Sequence, residues 1–251
     1  MSKLKLGIDI DEVLRAKWLA FDRYYADEFS EDGIKEPFDT FDLMKHYEFK
    51  DTEEIIQVVT EEFLTHEGLS KLSPKEYIVD KETGKAPVDD FAFNSEKKTY
   101  TAQEMFDKFL YEDYVFEIHG SAPKLYMNAD VDLNVFQKRY KDYFDFVFFA
   151  KTRKEAYPGT LFFLSKQRIE CNNIAFVQNN DEIWNQVDWV LTTDPSYSER
   201  PEGKKLILLD RLYNKEVSAD YKAYGVQVLN EQITEEQPNE FLEFVKNNIT
   251  K

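Results

Sequence analysis

The chain has 251 residues, 42% of them hydrophobic and 16% aromatic, which excludes a disordered polymer and suits one substantial core with a smaller appended one. Forty-nine acidic residues against 32 basic ones give a formal charge of -17, which repels a phosphate backbone and excludes free nucleic acid as a partner. Cys171 stands alone, no signal-peptide hydrophobic region opens the sequence, and no apolar run nears the ~18 residues of a membrane span; a soluble cytoplasmic or otherwise intracellular protein with no membrane partner is expected.

KLKLGIDI reads as a buried parallel strand ending in acids, and LRAKWLAFDRYYADEF follows at helical spacing. From about residue 30 to 129 the pattern changes. DTEEIIQVVTEEFLTHEGL is expected to be a helix capped by Asp51 or Thr52, a hairpin near residues 76–100 is expected around KETGK, and TAQEMFDKFLYEDYVF returns to helical spacing. LNVFQKRYKDYF then reads as a helix, FDFVFFA as a strand, and PGTLFFLSKQRI as a helix with Pro158 in its first turn. IAFVQ, WVLTT, KLILLD and GVQVL are four further strands, and NEFLEFVKNN is a closing amphipathic helix. Strands alternating with helices at this spacing predict an α/β fold, a Rossmann-like, mostly parallel sheet flanked by helices. The expected core is residues 1–29 with 130–251, and residues 30–129 form an inserted α+β subdomain.

Asp9 and Asp11 flank Ile10 at the end of the first strand, and ligands of open α/β sheets bind at the carboxyl ends of strands. If the chain stays extended through Asp11, both carboxylates converge. One would then attack a phosphoryl group while the other moves the proton, with a hard cation easing their repulsion. The bland alternative is that these acids cap the following helix.

GIDIDEVL, followed by a helix and a long insertion, resembles the first motif of the haloacid dehalogenase superfamily. YPGTLFFLSKQRI, WNQVDWVLTTDP and KKLILLDRLYN look similar, in that order, to its 5'-nucleotidase branch; the resemblance covers roughly residues 3–30 and 130–215. It implies a nucleophile at Asp9, an acid/base at Asp11, Mg2+ held by Asp9 and Asp11, and an insertion that acts as a cap. The later motifs are degenerate. Ala150 stands where the family has a phosphate-binding Ser or Thr, with Thr152 two residues on. The next helix starts without a lysine, leaving Lys151 and Lys154 as substitutes. Thr192 and Thr193 occupy the acidic metal positions, with Asp194 the nearest carboxylate, and Glu12 replaces the usual Gly.

The three histidines, His46, His66 and His119, lack metal-ligand spacing, and Cys171 reads as an inert thiol. The losses on the phosphate and metal side favour a catalytically impaired protein that binds a protein partner or itself, as a structural or assembly component. Its Asn, Lys, Phe and Tyr content also fits an AT-rich genome such as a bacteriophage's, so a virion component is one form of that role. The competing expectation is a Mg2+-dependent phosphohydrolase of small phosphomonoesters such as nucleoside monophosphates, in which Thr152, Lys151 and Lys154 bind substrate and Asp9, Asp11 and Asp194 the metal.

Overall fold

The computed structural model describes residues 3–29, 40–59, 93–126, 128–223 and 240–249. The chain divides into two compact units, one of residues 1–47 with 107–251 and one of residues 48–106. The large unit is built on six strands, β1 (Leu4–Asp9), β4 (Phe144–Lys151), β5 (Ile174–Val177), β6 (Trp189–Thr192), β7 (Lys205–Leu209) and β8 (Tyr221–Ala223). They lie in the order β5-β4-β1-β6-β7-β8, and every neighbouring pair is parallel. This is the expected α/β architecture, and β1, which carries Asp9, is central.

Alternation along the strands explains why the sheet is covered on both faces. Leu6, Ile8, Phe148, Leu191 and Ile207 join one buried cluster. That cluster takes in α5 (Ala129–Tyr140) through Leu133 and Phe136, and α8 (Glu240–Ile249) through Phe241 and Val245. Phe149, Val190, Leu206 and Leu208 face the other way, with Ile183 and Trp184 of α7 (Asn180–Trp184). Gly7 makes room on this second face, where a Cβ would come within 3.3 Å of Phe149 and Val187.

Between β1 and β4 in sequence, α1 (Lys17–Phe29) and α2 (Leu43–His46) precede the small unit, and α4 (Val115–His119) follows it. Phe21, Tyr25, Tyr47 and Phe109 form an aromatic cluster, mostly tilted or edge-on, with ring centroids 4.6–6.3 Å apart. The Tyr47 hydroxyl lies 2.6 Å from Asp22 Oδ1. Phe109 opens a single π-helical turn, Phe109–Asp113. In the same unit, α6 (Tyr157–Lys166) has Pro158 in its first turn as expected.

The small unit corrects one expectation outright. Thr52–Val59 is a strand, β2, paired antiparallel with β3 (Phe93–Tyr100), not the start of a helix. Its Ile-Ile-Gln-Val-Val run is β-branched, and pairing with a distant segment outweighs the apparent helical period. Asp51 caps a different helix: its Oδ1 accepts the Ala102 N–H at 2.8 Å, at the start of α3 (Ala102–Lys108). Thr101 and Glu104 complete that start with a reciprocal capping box. The expected turn around KETGK, the strand GVQVL and His66 lie outside the described residues. No helix among the described residues is long and apolar enough to cross a membrane.

Candidate active site

β1 ends at Asp9, so the chain does not stay extended through Asp11. It turns over residues 12–14, with Glu12 at φ 56°. That left-handed backbone, which a glycine would adopt without strain, is stabilised by the Glu12 side chain, whose Oε1 accepts the Trp18 N–H at 2.8 Å in the first turn of α1. Burial pushes the Glu12 carboxyl up to about 7.

The turn gives the two aspartates opposite surroundings. Asp9 is buried; its Oδ1 accepts the Asp11 N–H at 3.1 Å and its Oδ2 accepts the Thr192 hydroxyl at 2.7 Å. Burial, then the neighbouring Asp11 charge, push Asp9 up to about 8 against the pull of the Thr192 bond, with a lesser push from Asp194. Asp11 faces cations instead. Arg15 Nε donates to its Oδ1 at 2.8 Å, Arg15 Nη2 donates to the same oxygen, and Lys17 Nζ lies 3.0 Å from its Oδ2. Burial alone would raise the Asp11 carboxyl, but the Arg15 and Lys17 charges outweigh it and hold the group well below the usual carboxylate range.

Arg15 is fully buried. Its Nη1 donates to the His119 carbonyl and, at 3.1 Å, to the Thr160 hydroxyl of α6, while its guanidinium lies over the Phe163 ring. Nothing in the sequence marks it beyond its spacing of four from Asp11.

On the neighbouring strands, Lys151 and Asp194 meet. Lys151 Nζ lies 2.5 Å from Asp194 Oδ2 and 3.1 Å from Asn180 Oδ1. The other Asp194 oxygen accepts the Ser196 N–H at 2.8 Å, capping a short turn. The Thr192 hydroxyl donates to Asp9 and accepts the Asp194 N–H at 3.0 Å. Asn214, fully buried, donates to the carbonyls of Thr193 and Leu209, each at 2.9 Å, and so ties the ends of β6 and β7 together.

Of the proposed substrate contacts, Thr152 is buried just past β4, and its hydroxyl has no hydrogen-bond partner among the described residues. Lys154 is exposed in the turn Lys154–Ala156. Outside the site, Cys171 is half-buried, and burial pushes its thiol up to about 12, which keeps it unreactive.

This donor set does not fit a divalent cation. A hard cation needs several ionised or carbonyl oxygens free to turn toward it. Here Asp11 is held by two cations, Asp194 by Lys151, and both Asp9 oxygens accept hydrogen bonds, one from the Asp11 N–H and one from the Thr192 hydroxyl. Among the described residues, no three His, Cys, Asp or Glu side chains group so as to hold a metal ion.

No protein-family model and no curated protein matches the chain. Among solved structures, a Thermotoga maritima protein described as a beta-phosphoglucomutase aligns over 91% of this chain and 97% of its own, at 14% identity and a TM-score of 0.45. The α/β fold stands on the sheet itself, six parallel strands in the order β5-β4-β1-β6-β7-β8.

Proposed function

We propose that this chain keeps a carboxylate-bearing, haloacid-dehalogenase-like α/β core without metal-dependent phosphoryl transfer and serves as a binding or assembly protein. The observation that carries this reading is that the chain's own groups occupy the positions substrate and metal would need. Arg15 and Lys17 take Asp11, Lys151 takes Asp194, and the Thr192 hydroxyl takes Asp9. An exposed aromatic pair supports a partner-binding role: Phe116 and Phe162 pack in a tilted arrangement with ring centroids 4.9 Å apart and stay 45% and 43% exposed, beside Leu161 at 45%. Aromatic side chains of this kind are enriched at the centres of protein interfaces. The test is a phosphatase assay with Mg2+ on a panel of nucleoside monophosphates, with Asp9→Asn as control, alongside titration calorimetry of Mg2+. Equal background signal in both proteins and no heat of Mg2+ binding are expected; turnover abolished by the substitution overturns the reading. Light scattering then tests self-assembly.

A second reading, hydrolysis of small phosphomonoesters through an aspartyl-phosphate on Asp9, is favoured by one observation. The buried Thr152 hydroxyl, just past the end of β4, has no partner among the described residues and is free to donate to a phosphoryl oxygen. In this reading Asp9 attacks only as a carboxylate, and turnover rises as pH passes about 8. Asp11 must also leave Arg15 and Lys17 before it can carry a proton to the leaving group, because the two cations keep it ionised.

A further inference from the structure

The opposite end of the sheet has a different character. Where β1, β4 and β5 begin, roughly 13 Å along β1 from Asp9 at ~3.3 Å per residue, a cavity of about 760 Å³ opens to solvent. Four lysines line it, Lys3, Lys5, Lys138 and Lys141, against the single carboxylate of Asp145. On a chain of net charge -17 this is a local reversal of sign.

The bland explanation is that Lys138 and Lys141 complement the carboxyl end of α5, and it is too small. Helix ends contribute about half a charge each, so the ends of α5 and α7 together subtract at most about one from the three net positive charges of the lining. Lys3 makes only a loose pair with Asp145, at 3.8 Å with both side chains about half exposed. The ammonium groups of Lys5, Lys138 and Lys141 make no ion pair or hydrogen bond among the described residues.

The rest of the lining suits a ligand more than bulk water. Asn172, Asn173 and Asn185 bring amide groups from two loops, and Phe146, Ile174 and Ala175 form an apolar wall. The volume falls within the range of small-molecule sites, about 300–1,000 Å³. Charges converging from two separate segments, the start of β1 and the end of α5, on a concave surface match a compact ligand with several charges better than a flat protein partner.

We infer that this cavity binds a small polyphosphate-bearing molecule through Lys5, Lys138 and Lys141. The site shares no residue with the strand-end carboxylates, so it stands whichever reading of those holds. The test is titration calorimetry of the full chain, without divalent cations, using ATP and inorganic tripolyphosphate as probes. Saturable binding of at least one probe is expected, weakened about tenfold or more by Lys138→Glu with Lys141→Glu and by added salt. Lys138→Gln with Lys141→Gln, which puts no acid at the helix end, should weaken it less but in the same direction. Lys166→Glu, on α6, serves as the control for general charge and should leave binding within about twofold. ATP binding alone marks a nucleotide site, and comparable binding of both probes marks an inorganic polyphosphate site. No saturable binding of either probe at millimolar concentration overturns the inference, as does equal weakening by the control.

Discussion

At the scale of single residues, two aspartates two positions apart end up in opposite electrostatic states because the backbone turns between them. Asp9, paired with no cation among the described residues, binds its proton more tightly folded than unfolded, since its carboxyl moves from 3.8 to about 8. The sign follows: its contribution to stability is full below the unfolded value and is lost as pH rises to about 8. Asp9→Asn, which imitates the protonated form, should therefore raise Tm by about 3 °C or more near pH 9, with a smaller gain near pH 5. Melting curves at the two pH values check this, and an equal loss at both would contradict the raised carboxyl. For Asp11 the pairing dominates. Arg15→Met leaves a buried carboxylate short of its main partner and frees the His119 carbonyl and Thr160 hydroxyl. Urea unfolding should show a loss of about 3–5 kcal/mol, part of which Asp11→Asn in the same chain recovers. A loss below about 1 kcal/mol would mean the pair is no better than a surface ion pair.

At the scale of elements, α6 reaches the site because it lies close against α4. A Cβ on Gly159 would sit 3.2 Å from the Gly120 nitrogen and from the His119 Cβ. Gly159→Ala gains about 1 kcal/mol of helix propensity and meets that close approach, so the net change should stay within about 1 kcal/mol. Gly159→Val adds methyl groups that the contact has no room for, and a loss of about 2–3 kcal/mol is expected by chemical denaturation. Equal stability of the two variants would show that the helices separate at little cost. The strand β2 carries the lesson of this scale. Residues 52–59 read as helix from local periodicity, but they pair with residues 93–100, more than thirty positions away, and no window of local sequence contains that partner.

At the scale of the whole molecule, a net charge of -17 repels itself in the folded state. The exposed ion pairs, such as Lys97–Glu53 and Lys246–Glu243, contribute only about 0–1 kcal/mol each, so screening should help more than it harms. Raising NaCl from about 20 mM to about 0.5 M shortens the screening length severalfold and should raise Tm by a few degrees. A fall in Tm would mean that favourable pairs outweigh the general repulsion.

The alternation of apolar strands and helices determined the α/β class, because covering both faces of a parallel sheet demands that pattern from each segment separately. The placing of Asp9 at a strand end was equally legible, since a short apolar run has few ways to stop. The sequence also singled out Thr152, Lys151 and Asp194 beside the same strand ends. It held no sign that Lys151 would close on Asp194, or that Thr192 would donate to Asp9. Arg15, buried against Asp11, and the four lysines gathered around one cavity were hidden for the same reason. Such pairings join residues far apart in the chain, or depend on a turn such as that at Glu12, and only the assembled sheet brings them within hydrogen-bonding distance.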